Sequence, residues 1–147
     1  MQLKLGKRAD YAIRAVLSLA RHVEANSLTK SRDIAAEMDI PAKYLPQVLA
    51  TLVRAGLVNS VPGPDGGYRL TKAPEEVTLL DVIEGVEGPL RSAECILRGG
   101  PCHWETACAL HEPWAKAKEA MLTNLASTNF GDLAAADSTL ATRYRSS

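Results

Sequence analysis

The chain has 147 residues, 46% of them hydrophobic, and equal numbers of basic and acidic side chains. That suits one ordinary globular domain, or a small domain with an appended oligomerisation segment. No run of about 18 apolar residues is present, which argues against a membrane-spanning helix, and Arg8, Asp10 and Arg14 interrupt the start where a signal peptide needs unbroken apolar sequence, so the chain reads as cytoplasmic.

From Asp10 to Val23, Ala12, Val16, Leu19, Ala20 and Val23 recur at three- and four-residue spacing, which predicts a first amphipathic helix. A polar break, EANSLTK, follows. Residues 31–38, SRDIAAEM, read as a short helix capped by Ser31, with Asp33 in its first turn. After the brief DIPAK connection, Leu45, Val48, Leu49, Leu52 and Val53 form a second apolar stripe that Gly56 closes, with Pro46 confined to the helix start. Two helices joined by a tight turn make a helix-turn-helix. The next residues, LVNSV, PGPDGG and YRL, predict a strand, a dense turn and a return strand, and such a hairpin directly after the second helix is a wing.

Thr78 is placed to cap a further helix carrying Leu79, Leu80, Val82, Ile83 and Val86, stopped by EGP. Pro113, read as a first helical residue, opens a long helix with Trp114, Ala117, Met121 and Leu125 at heptad-like spacing, a stripe that most simply buries against a partner chain. STNFGDLAAAD predicts a short capping helix. The fold expected is mainly α with a small β-hairpin wing: a winged helix-turn-helix domain over 1–76, a loop and long dimerisation helix over 77–135, and a disordered tail over 136–147.

Charge follows this division. Residues 1–72 hold eleven Lys and Arg against six Asp and Glu, and residues 73–147 hold six against eleven, as expected of a polyanion-facing half joined to a half kept away from it.

The segments YAIRAVLSLA, IAAEMDIPAKYLPQVLATLVRAGLVNSV, GPDGGYRL and TLLDVIEGVEGPL together resemble the Rrf-two-type family of winged helix-turn-helix transcriptional regulators, which includes iron–sulfur regulators of the IscR and NsrR kind. The resemblance runs over roughly residues 1–135, and the GPDGGYRL wing is its most specific piece. It implies a homodimer with crossing C-terminal helices, bound to an inverted-repeat operator in double-stranded DNA. It also implies three cysteines between the DNA-binding domain and the dimer helix, which hold an iron–sulfur cluster in many members and are lost in others.

On the second helix of the motif the apolar stripe points inward and leaves Lys43, Tyr44, Gln47, Thr51 and Arg54 as outward candidates. Lys43, Tyr44 and Gln47 lie near its N-terminal end, which usually meets base edges in the major groove. Glutamine suits adenine, and lysine suits guanine or phosphate. Tyr44 has an equal claim to a core position closing the turn. Ser31 and Arg32 suit phosphate contacts, which position without specifying. In the wing, the backbone amides of Gly63, Gly66 and Gly67, with Arg69 just after them, are candidates for minor-groove or phosphate contact.

All three cysteines fall within CILRGGPCHWETACALH: six residues separate Cys95 from Cys102, five separate Cys102 from Cys108, and two separate Cys108 from His111. In a reducing compartment an odd, clustered set argues for metal or redox chemistry over a disulfide framework. The gaps are too wide for the paired knuckles of a zinc finger, and three thiolates suit an iron–sulfur core. Two residues compete as fourth ligand. In the IscR-like pattern His111 completes a 2Fe–2S site. In the NsrR-like pattern Asp10 reaches a 4Fe–4S cluster from the other subunit. The first gap is one residue longer than the IscR pattern, so cluster type does not transfer directly, and Asp10 has an ordinary rival role as an i, i+4 partner of Arg14.

An enzyme is disfavoured: the chain has no nucleotide-binding glycine fingerprint, no nucleophile elbow and only His22, His103 and His111 as histidines. The expected function is a dimeric regulator, a repressor by the resemblance, controlled by a cluster that senses nitric oxide, redox state or iron. The rival is a cluster-free regulator of the same fold that senses a metabolite or a protein partner.

Overall fold

The structure is a computed structural model that describes residues 6–23, 27–90 and 108–137. The first helix, α1 (Lys7–Arg21), forms the spine of the domain. Its buried face begins with alanines at 9, 12 and 15 and continues with Val16, Leu19 and Ala20. Small side chains at three-residue spacing let neighbours approach closely, and α2 (Ser31–Met38), α3 (Leu45–Arg54) and α4 (Leu79–Glu87) all pack on it. The helix ends two residues earlier than its apolar spacing predicts: Val23 lies beyond the His22 cap and is 48% exposed.

Helix α2 also differs at its start. Lys30 occupies the N-cap, Ser31 is the first helical residue, and no side chain caps the helix. At its other end Asp39 adopts a left-handed conformation (φ 54°), which lets the Ile40 amide return to the Ala35 carbonyl at 3.0 Å and reverses the chain within a short turn. Pro46 sits in the first turn of α3, where its missing N–H costs nothing. Ala55 caps that helix, and Gly56 follows in the positive-φ region (φ 80°).

Strands β1 (Val58–Val61) and β2 (Gly67–Leu70) pair antiparallel, with Val58 opposite Leu70 and Val61 opposite Gly67. The polar break before α2 contributes to this wing, which its composition did not announce. Thr29 bridges Tyr68, its amide donating to the Tyr68 carbonyl at 2.9 Å and the Tyr68 amide donating back at 2.8 Å.

Thr78 caps α4 as expected, through a reciprocal capping box with Asp81. Helix α5 (His111–Ser127) begins at His111, so Pro113 is its third residue, still among the amides that need no intrahelical partner. Among the described residues of α5 only Leu122 is buried; Trp114 and Leu125 are half-buried, and Ala117 and Met121 are exposed. A final helix, α6, spans 130–137, carrying helical structure two residues past the boundary at which the tail was drawn; residues 138–147 lie outside the described residues. Thr78 bridges Asn129, the Leu79 amide donates to Thr128, and the Phe130 amide donates to Val77, both at 2.9 Å. Phe130 itself is fully buried, so the chain after α5 is clipped to the winged domain.

Candidate nucleic-acid interface

The N-terminal end of α3 presents its side chains outward. Lys43, Tyr44 and Gln47 are all exposed. Tyr44, 46% exposed, neither enters the core nor stands free. Its ring stacks on Tyr11 of α1, with centroids 6.3 Å apart and planes 17° from parallel. The Lys43 ammonium lies 5.0 Å from the Tyr44 ring centre, and the Arg14 guanidinium lies 5.3 Å from that of Tyr11. Each cation favours the electron-rich face of its ring, so four side chains order the approach to α3.

Thr51 is corrected by its burial, at 8% exposed. Its hydroxyl donates to the Gln47 carbonyl at 3.0 Å and accepts from Arg54 Nη2 at 3.2 Å. Back-bonding of this kind holds a threonine against its own helix and away from a groove. Arg54 itself remains exposed one turn further on.

In the wing, Arg69 is exposed on β2, opposite Asn59. Gly66 is buried, and its amide is already committed to the Gly63 carbonyl at 3.0 Å, so it does not offer the free N–H expected of it. The residue is required for a different reason: a Cβ there would collide with the Val61 and Pro62 carbonyls. Gly67 is similarly needed for close approach, since its Cβ would stand 2.8 Å from the Thr29 carbonyl oxygen. Ser31 is half-buried and Arg32 exposed at the start of α2.

Residues that local pattern did not single out hold this surface together. Lys30 donates from its ammonium to the Pro64 carbonyl and, at 3.3 Å, to that of Gly66, tying the start of α2 to the wing loop. Arg14 donates to the carbonyl of Met38, the last residue of α2, at 2.6 Å. These partners are 24 to 36 residues away, beyond the reach of helical or strand periodicity.

Of the candidate metal ligands, Cys95 and Cys102 lie outside the described residues. Cys108 carries a free, half-buried thiol, and its carbonyl accepts from the His111 amide at 3.1 Å, which puts both residues on one turn at the head of α5. Asp10 is engaged by Arg14: Nε donates to Oδ1 at 3.2 Å and Nη2 to Oδ2 at 2.6 Å. That hydrogen bond chiefly raises the Arg14 pKa, against the opposing effect of partial burial. Among the described residues no three His, Cys, Asp or Glu side chains gather as a metal site. The soft thiol of Cys108 and the imidazole of His111 are nevertheless chemically suited to iron, and they fit the donor set that the family resemblance implies.

Comparison with known proteins agrees with the architecture. The family model for Rrf2, described as an iron-dependent transcriptional regulator, matches residues 5–136. The IscR regulator of Aliivibrio salmonicida is 33% identical over 131 residues, covering 89% of this chain and 77% of that protein. CymR, the global cysteine regulator of B. subtilis, superposes with a TM-score of 0.76 at 30% identity over 91% of this chain and 98% of its own. The IscR of T. potens gives 0.72 at 28% identity, over 90% and 87%. The relatives are regulators and not enzymes, and among the described residues no helix is long and apolar enough to cross a membrane. With its helix-turn-helix, its wing and a match spanning nearly its whole length, this chain belongs to the Rrf2 family of transcriptional regulators.

Proposed function

We propose that the protein is a homodimeric, cytoplasmic repressor that reads an inverted-repeat operator with Lys43, Tyr44 and Gln47 of α3 and with Arg69 of the wing. The observation that carries this reading is the exposed N-terminal end of α3, ordered from behind by the Tyr11 stack and flanked by a wing that Lys30 braces. The exposed Ala117 and Met121, with the half-buried Trp114 and Leu125, support α5 as the dimer helix, because a stripe of this composition has its natural place against a second copy.

The same reading assigns an iron–sulfur cluster to Cys95, Cys102 and Cys108, with His111 or Asp10 of the other subunit as fourth ligand. When bound, such a cluster supplies a redox- and nitric-oxide-sensitive centre. This chain's part is to present Cys108 and His111 at the head of α5 and to link that helix to the winged domain through the Thr78–Asn129 bridge. If His111 completes the site, the Asp10–Arg14 pair persists; if Asp10 does, Arg14 must give up one partner.

The hold of Arg14 on both Asp10 oxygens favours His111 over Asp10 as fourth ligand, and the second reading, a cluster-free regulator of the same fold, rests on the likeness to CymR. The likeness to a cysteine regulator makes a small-molecule or protein signal the corresponding input.

Purification without oxygen separates the two. A cluster protein is brown, absorbs in the visible, and loses that absorption in only one of Asp10→Ala and His111→Ala. Operator affinity then changes 5- to 150-fold between loaded and cluster-free protein, the range that a coupling of about 1 to 3 kcal/mol produces. With about three phosphate contacts per subunit, the log–log salt slope of binding is roughly −5. A colourless protein refutes the cluster, and a slope near zero refutes DNA binding.

A further inference from the structure

We propose that the N-terminal end of α1 is a second DNA-backbone contact, in which a phosphate of the duplex read by α3 is held by Lys7 and Arg8 in the cleft between the two helices. The inference rests on the DNA-binding reading above and extends it to residues outside the helix-turn-helix and the wing.

The cleft has a volume of about 260 Å³ and is lined by Lys7, Arg8, Tyr11, Tyr44, Gln47 and Val48. One wall is the first turn and a half of α1, and the other is the first turn of α3. Tyr44 and Gln47 therefore face the groove and the cleft together, and a strand whose bases meet Gln47 passes the opening of the cleft.

Charge favours a phosphate there. Lys7 and Arg8 are exposed, and no carboxylate among the described residues pairs with either. The carboxylate on the same turn, Asp10, is neutralised by the two-point contact from Arg14. Lys43 adds a third positive charge at the rim, held over the Tyr44 ring. Val48 gives the cleft an apolar side chain that suits a deoxyribose next to the phosphate.

Rigidity makes the contact informative as well as attractive. The Tyr11–Tyr44 stack fixes α1 to the start of α3, and the Arg14 bond to the Met38 carbonyl fixes α1 to the end of α2. Cations at a set distance from the base-reading residues fix the register of α3 along the groove, the role that phosphate contacts play in recognition.

The test uses the full-length dimer and a fluorescent, mixed-sequence DNA duplex of about three helical turns, titrated across a potassium chloride series. Wild type is compared with Lys7→Ala/Arg8→Ala and with a charge control, Lys116→Ala, on α5. Both sites are exposed helical positions where alanine is well tolerated.

The double variant is expected to flatten the log–log salt slope by about 1.8, or about 0.9 for each of the two phosphates left without its cations across the dimer, with the control unchanged. A slope equal to wild type overturns the proposal and leaves the DNA-binding reading intact. Flattening in the control by half as much, the share of its single charge, also overturns it, as an effect of net charge alone. Wild type that ignores the duplex removes both readings.

Inorganic phosphate, added at constant ionic strength and followed by tyrosine fluorescence, distinguishes a free-anion site. No saturable change is expected. A saturable change that the double variant abolishes, with the duplex slope unaltered, assigns the cleft to a small anion and overturns the DNA contact.

Discussion

Glu37 shows how much a single side chain can hold. It is a surface residue of α2 by sequence, yet its carboxylate accepts from Ser18 Oγ and from Arg21 Nη1, each at 2.9 Å, and lies 2.9 Å from His22 Nε2, all three partners belonging to the end of α1. Partial burial alone would push its pKa up, but the hydrogen bonds from Arg21, His22 and Ser18 outweigh it and hold the pKa below its ordinary value. A depressed folded-state pKa stabilises the protein above the unfolded-state value, near about 4.3, and that stabilisation is lost as pH falls through the lower folded-state value. Glu37→Gln is therefore less stable than wild type near neutrality, with the gap closing below about pH 4; denaturant titrations at several pH values measure it, and a constant gap contradicts the assignment. The periodicity that placed Ala12, Val16 and Leu19 in the core says nothing of Glu37, because its partners share no local repeat with it. Thr51 was missed for a different reason: Gln47 and Arg54 are its helical neighbours at i−4 and i+3, but an apolar stripe does not show that its hydroxyl turns back to them.

At the level of elements, the two helices of the motif, the hairpin and the Thr78 cap were legible because each announces itself within a few residues: an apolar stripe, PGPDGG, or a threonine three residues before an aspartate. Thr29 was not, since a single bridging residue carries no alternation for pattern to detect. The wing depends on that bridge and on the space beside it. Gly67→Val places a side chain against the Thr29 carbonyl, and duplex affinity is expected to fall while helical circular dichroism is retained. Unchanged affinity would show that the wing takes no part in binding. The clip after α5 was half legible: STNFGDLAAAD predicted a helix, but not that Phe130 would be its fully buried anchor. Phe130→Ala should lower unfolding free energy by about 3 to 5 kcal/mol, read by chemical denaturation.

For the whole molecule, the basic half of the sequence carries α1 through the wing, and the acidic half carries α4 and α5. Of the candidate cluster site, the donor types and their spacing were legible, while the relation of Asp10 to Arg14 needed geometry, because an i, i+4 pair and a ligand reaching across a dimer look alike in sequence. Dimerisation has its own test. Met121 is 49% exposed on the stripe assigned to the partner, so Met121→Asp puts a carboxylate into that contact. Sedimentation should then find monomer where wild type is dimeric, together with weakened duplex binding, and an unaltered dimer would place the interface elsewhere.

The clip also has a mechanical meaning. Helix α5 has 17 residues and is about 25 Å long. One end is pinned by Phe130 and the Thr78–Asn129 bridge, and the other carries Cys108 and His111. At that length a tilt of about 5° about the pinned end displaces the far end by about 2 Å. A displacement of a bond length or two at the Cys108 end therefore corresponds to a tilt of only a few degrees where the helix meets the winged domain.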